Sequence, residues 1–298
     1  MDDFPNLPLI DAVDMEILMH RDTHFGSNFS VMLEYYKKEH VGTFPDYSVS
    51  RIRELKEIED NTGKDLSELI LPSEAKEEIK KYQTLYFELR KVYEKEDSNR
   101  LPRLIADLLF SEEETPQKEI KALALEGETS LEPLIHLISS ELFSNPLSPG
   151  YGRGPYLAVL ALAKIEDPKT IPPLFEALGR HDFFTDEAII QALCLKKESV
   201  KAFLIQQLKK RPLSKDNEKA ALILSNLPPD PSLPTLALNL LTQEDVFTHY
   251  ALATYLIFLA ATTEIPKERL QFSNLLKIKN IDPELAFEIN LIVDNWNK

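Results

Sequence analysis

An Ala-Leu pair recurs through the second half of the chain, and this repeat limits the possible folds more than any single motif does. The pair stands in EIKALALEGE (Ala122, Leu123), YLAVLALAKIED (Ala161, Leu162), EAIIQALCLKKE (Ala192, Leu193) and EKAALILSNL (Ala221, Leu222). A polar turn and a second amphipathic segment follow each one: ETSLEPLIHLI, DPKTIPPLFEAL, ESVKAFLIQQL and DPSLPTLALNLL. The alanines are 39, 31 and 29 residues apart, and the aligned leucines Leu134, Leu174, Leu204 and Leu236 are 40, 30 and 32 apart. Two spacings read from different segments agree, which marks a structural period. A small alanine lets two helices approach closely, and leucines at i, i+3 and i+4 fill the seam between them. One helix pair leaves an apolar face open, whereas stacked pairs cover one another. The pattern therefore predicts an all-α chain built as an α-solenoid of stacked helical hairpins.

Start signals fit the same unit. Asp167 can cap a second helix, with Pro168 at its first position, and Asp230-Pro231 and Asp282-Pro283 repeat the signal. With its Ala-Leu first helix, a turn such as KIEDPKTI and a leucine-rich second helix ending in EAL, the chain resembles the short bacterial form of the HEAT-repeat family. YLAVLALAKIEDPKTIPPLFEALGR, residues 156–180, carries the resemblance best. It extends over about residues 115–280, with four repeats and a fifth from about 246. It implies a right-handed solenoid, four to five repeats over 111–298, and a concave face lined by second helices. Glu132, His136, Glu176, Gln206 and Asn239 are the candidate exposed positions on that face. The longer first spacing comes from FSNPLSPGYGRGPY, residues 143–156, a loop insertion with three of the chain's eight glycines. Insertions in repeat arrays tend to fall on a binding face. Tyr151 and Arg153 are its candidate anchors, because Tyr and Arg concentrate binding energy at interfaces. Arg180, Phe183 and Phe184 occupy a later inter-repeat loop and form a second candidate contact.

Residues 1–110 show no repeat but keep helical periodicity. Ile10, Val13 and Ile17 form one stripe; Phe29, Met32, Leu33 and Tyr36 form another. Further helices are expected over 48–61, closed by Asn61-Thr62-Gly63, from Ser73 after Pro72, and over 99–110. The end units of a solenoid must hide one apolar face, so this region is expected to be a helical N-terminal cap.

Charge divides the chain unevenly. Residues 1–150 hold 31 acidic and 17 basic side chains, whereas residues 151–298 hold 18 and 17. An acidic half repels phosphate backbones. HEAT-like alkylpurine DNA glycosylases look basic and aromatic on their concave face. This chain has one tryptophan, Trp296, and only short basic patches, so a glycosylase-like role and nucleic acid are disfavoured. One cysteine, Cys194, allows no intrachain disulfide and no CxxC zinc site. The longest apolar run, residues 250–261, falls short of the roughly 20 residues a membrane helix needs. No membrane partner is expected, and a cytoplasmic location is.

The stretch MHRDTHFGSNF, residues 19–29, poses the sharpest chemical question. Glu16, His20 and His24 lie at i, i+4 and i+8, a spacing that can ligate a divalent metal on one helix face. Asp22, Thr23 and Gly26 continue helices poorly, so the helix is expected to end near His20, with Ser27 or Asn28 capping the next. HExxH, GxSxG and the His-Glu dipeptide of HEAT-like deoxyhypusine hydroxylases do not occur. No catalytic residue, metal or cofactor is assigned. The expected function is a non-enzymatic scaffold or adaptor that binds another protein. The rival is an enzyme with a metal or small-ligand site between the N-terminal domain and the solenoid.

Overall fold

The computed structural model describes residues 10–38, 40–94, 100–278 and 281–296. The acidic start of the chain and residues 95–99, at the junction of two expected helices, lie outside them. The described residues form an all-α fold of seventeen α-helices, without strands. No helix among them is long and apolar enough to cross a membrane. The chain divides into two compact units, residues 1–165 and 166–298.

Unit 1 begins with α1 (Ala12–His24), α2 (Phe29–Tyr36), α3 (Val49–Thr62), α4 (Leu66–Ile70) and α5 (Ser73–Arg90). It continues with α6 (Leu101–Phe110), α7 (Gln117–Leu125), α8 (Leu131–Ser139) and α9 (Gly154–Lys164). Most of the sequence signals act where they stand. Asn28 caps α2 by accepting the backbone N–H groups of Ser30 and Val31. Ser48 caps α3, and Gly63 ends it in the left-handed region at φ 63°, where a side chain would be strained. Ile17, Leu18, Phe29, Met32, Ile52 and Leu55 are buried together in one core.

The end of α1 departs from expectation: it runs through Asp22 and Thr23 to His24. The reason is tertiary. The Arg21 side chain is completely buried, with Nε 2.7 Å from Asp22, Nη1 2.6 Å from Glu59 and Nη2 2.9 Å from Asp65. Its guanidinium also lies 4.5 Å from the centroid of the Phe29 ring. Glu59 in turn accepts the Leu66 N–H, and Asp65 caps α4 through the Ser67 N–H. One arginine thus ties the last turn of α1 to the end of α3 and the start of α4. Those bonds outweigh helix preferences of a few tenths of a kcal/mol, ~0.7 at most.

Unit 2 comprises α10 (Ile171–Ala177), α11 (Phe183–Cys194), α12 (Lys197–Leu208), α13 (Lys215–Ser225) and α14 (Ser232–Leu241). After these come α15 (Tyr250–Ala261), α16 (Pro266–Ser273) and α17 (Pro283–Trp296). The Ala-Leu helices here are α11 and α13, and α15 continues their series. Each lies against the next: α11 touches α13, α13 touches α15, and α15 touches α17. Ala192, Ala221, Leu174 and Leu204 are buried, whereas Leu222 and Leu236 are half-buried. Asp167 accepts the Lys169 N–H in a short 3-10 turn, Pro168–Thr170, that leads into α10. Asn217 caps the chain from within: its amide donates to the carbonyls of Gln207, Leu208 and Lys210, which closes the turn between α12 and α13.

Candidate interaction surface

The sequence candidates fall into three settings. Tyr151 and Arg153 are committed inside unit 1. The Tyr151 ring lies 4.7 Å from that of His24, and its hydroxyl donates to Glu112 at 3.3 Å. Gly42 exists to admit that ring, since a Cβ there would stand 2.4 Å from Tyr151 Cε1. Arg153 donates to the backbone carbonyls of Gly150, Glu113 and Ser111 at 3.1, 3.0 and 2.9 Å. Pro146 O accepts from His24 Nε2 at 3.0 Å, and Asn145 donates to Glu78 at 3.0 Å. The insertion therefore ties α1, α2 and α5 to the segment between α6 and α7. Its anchors recognise the chain itself.

The histidines of α1 sit within the same contacts. His20 is fully buried, and its Nε2 donates to the Gly42 carbonyl at 3.2 Å. Its ring touches those of Phe25, Phe44 and Tyr47, with the His24 ring 4.5 Å away. His24 Nδ1 accepts from the Tyr86 hydroxyl at 2.8 Å while its Nε2 donates to Pro146. Both of its nitrogens are thus committed, and the neutral tautomer is fixed. Burial pushes His20 down to about 2, helped by His24 and opposed by the Gly42 carbonyl. Burial likewise pushes His24 down to about 4, opposed by the Pro146 carbonyl. Glu16 is exposed and accepts from Tyr47 at 3.3 Å. Among the described residues no three His, Cys, Asp or Glu side chains converge as a metal shell.

The third setting is an open groove in unit 2, about 690 Å³ in volume, between α11, α13 and α15. Leu178, Ile190, Leu222, Ala251 and Tyr255 give it an apolar lining, beside the charged Asp186, Glu187, Lys215, Glu218 and Lys219. Phe183 lies at its mouth. Phe183 is 75% and Phe184 73% exposed, with ring centroids 5.8 Å apart. Both belong to the first turn of α11, where Asp182 accepts the Thr185 N–H. The cap fixes the helix start, so both rings project from a rigid element. Arg180 is exposed just before them. Glu132, His136, Glu176, Gln206 and Asn239 are exposed, and none of them lines this groove.

Sequence reasoning looked for the surface on second helices and missed Lys215, Lys219 and Leu222, which line the groove from α13. They are spaced i, i+4 and i+7, a face that was readable once α13 was placed. Cys194 is half-buried; its thiol points 3.6 Å from the Asn226 carbonyl, and burial pushes its pKa up. A raised thiol is a poor nucleophile. Comparison with family models, with curated proteins and with solved structures finds no match to this chain.

Proposed function

We propose that this chain is a non-enzymatic adaptor that binds another protein, and that unit 2 carries the docking surface. The repeat helices belong to a right-handed, HEAT-like solenoid, with the N-terminal helices as its cap. The observation that carries the binding reading is the pair Phe183 and Phe184. Each is about three-quarters exposed, and the two stand together beside a groove of about 690 Å³. Single exposed apolar residues are ordinary, but adjoining aromatic rings at a groove mark an interaction site. Aromatic anchors that fill a pocket carry a large share of interface energy. The first candidate anchors, Tyr151 and Arg153, already hold hydrogen bonds within unit 1. The scaffold reading therefore rests on Phe183, Phe184 and Arg180.

The test compares the full chain with a Phe183→Ala/Phe184→Ala variant in affinity capture from cells that express it. The variant loses little buried area, so its circular dichroism and melting should match wild type. A partner retained by wild type should fall at least tenfold on the variant. An unchanged set of captured proteins would refute the assignment of this surface.

A further inference from the structure

Helix α17 turns an apolar patch outward. Leu285 and Ile289 are buried, and α15 and α16 lie against the helix. Helical periodicity sets Glu284, Phe287, Leu291 and Asp294 on the opposite side, at i, i+3, i+7 and i+10. All four are exposed, Phe287 by 65%. Tyr250 of α15 is exposed too and donates its hydroxyl to Glu284 at 2.8 Å, so its ring stands at the head of the stripe. Two large apolar side chains at the centre of one helix face, with an aromatic ring at its head, make a patch rather than scattered exposure. None of these residues lines the groove between α11, α13 and α15.

The charge on this helix has one sign. Residues 281–296 hold four carboxylates, Asp282, Glu284, Glu288 and Asp294, and no lysine or arginine. Among the described residues none of the four is in an ion pair. The bond to Glu284 pushes the Tyr250 hydroxyl above its usual range; burial adds to this, as do the charges of Glu284, Asp282 and Glu288. Three carboxylates therefore surround one exposed ring. Arg269 lies at the far end of the helix, 5.1 Å over the Trp296 ring, and donates to the Thr263 carbonyl. Lys267 on α16 and Lys277 in the 3-10 turn after it are exposed and pair with none of the four.

This charge selects among occupants. Nucleic acid and an anionic membrane surface are repelled. A two-fold contact with a second copy would set the four carboxylates against their own counterparts, which disfavours it. An arginine or lysine suits the face twice over. Its charged head meets the carboxylates, and it can lie over the ring of Tyr250 or Phe287.

We propose that the outer face of α17, together with Tyr250, is a second docking surface and takes a basic segment of a partner protein. An arginine or lysine of that segment meets Glu284 and Glu288, and an apolar residue beside it packs on Phe287 and Leu291. This goes beyond the surface at Phe183 and Phe184 and does not depend on it.

A displayed library of random peptides is panned on the full chain. Enriched peptides are synthesised with a fluorophore and titrated against wild type, Phe287→Ala/Leu291→Ala, Glu284→Gln/Glu288→Gln and Phe183→Ala/Phe184→Ala. Trp296 fluorescence, which reports the packing of that ring on Phe272, checks that α17 stays in place in each variant. The expected result is a class of peptides with arginine or lysine next to an apolar residue. Their affinity should fall at least tenfold in both α17 variants, hold in Phe183→Ala/Phe184→Ala, and weaken as salt is raised. No basic class, or one indifferent to either α17 variant, would overturn the proposal and leave the Phe183 surface standing. A wild-type dimer in light scattering that Phe287→Ala/Leu291→Ala dissolves would also overturn it, since a second copy would then hold the face.

Discussion

Mild acid should unfold unit 1 before its carboxylates titrate. His20 and His24 are neutral in the fold, held at about 2 and about 4 against an ordinary 6.5. A histidine with a depressed folded pKa binds its proton more readily in the unfolded chain. Its contribution is therefore whole above pH 6.5 and is lost as pH falls from 6.5 toward the folded values. At pH 5 the loss is set almost wholly by the unfolded pKa, and comes to about 2 kcal/mol for each histidine at ~1.4 kcal/mol per pH unit. Together they remove on the order of 4 kcal/mol, a large part of the roughly 5–15 kcal/mol that holds a typical domain. Carboxylates act lower. Asp14, held down by Arg51, and Asp65, where burial is outweighed only by the Arg21 bond and charge together with backbone N–H bonds such as that from Ser67, contribute above 3.8 and lose that contribution only as pH drops past it. The window between about pH 4 and 6.5 thus belongs to the histidines. Protonation would also set His24 Nδ1–H against the Tyr86 hydroxyl that now donates to it. The units have separate reporters: eight of the ten tyrosines lie in 1–165, and Trp296 is in 166–298. Urea titrations at pH 7.5, 6 and 5, followed by tyrosine near-ultraviolet circular dichroism and by tryptophan fluorescence, would measure the slope. His20→Phe/His24→Gln should flatten it. A tyrosine transition at pH 5 within about 1 kcal/mol of that at pH 7.5, or an equal slope in the variant, would refute the linkage.

Arg21→Met should destabilise unit 1 by about 3 kcal/mol, the low end for removing one partner of a buried ion pair, because Glu59 and Asp65 reach solvent. The tyrosine signal in urea should shift to lower concentration and the Trp296 signal should not. Gly42→Ala should cost about 1–3 kcal/mol by overpacking, since the new methyl must drive the Tyr151 ring from its place beside His24. Calorimetry would give the loss, and relief in Gly42→Ala/Tyr151→Leu would tie it to that contact.

The repeat was readable because its signal is local. Ala192 and Leu193 lie within one helix and helix periodicity puts both inward, as it does Ala221, whereas Leu222 lines the groove. Caps such as Asn28, Ser48 and Asp167 need only two or three neighbouring residues, so they too could be read in place. The end of α1 could not, because Arg21 finds its carboxylates 38 and 44 residues away. Nor could the use of Tyr151 and Arg153. Both residue types suit an exposed hot spot, and only packing shows that His24, Glu112 and three backbone carbonyls already hold them. MHRDTHF looked like a possible metal or catalytic motif; in the fold it supplies a buried ion-pair hub and two neutral histidines.

That the chain is helical, where several of its helices begin, and that Ala192, Leu193, Leu174 and Leu204 face inward were legible in the sequence alone. Those properties follow from bonds and contacts within a few residues. Tertiary structure decided which polar side chains were left for a partner, because that depends on distant groups competing for the same donors and acceptors. That competition ties Tyr151 and Arg153 to groups within unit 1 and leaves Phe183 and Phe184 exposed.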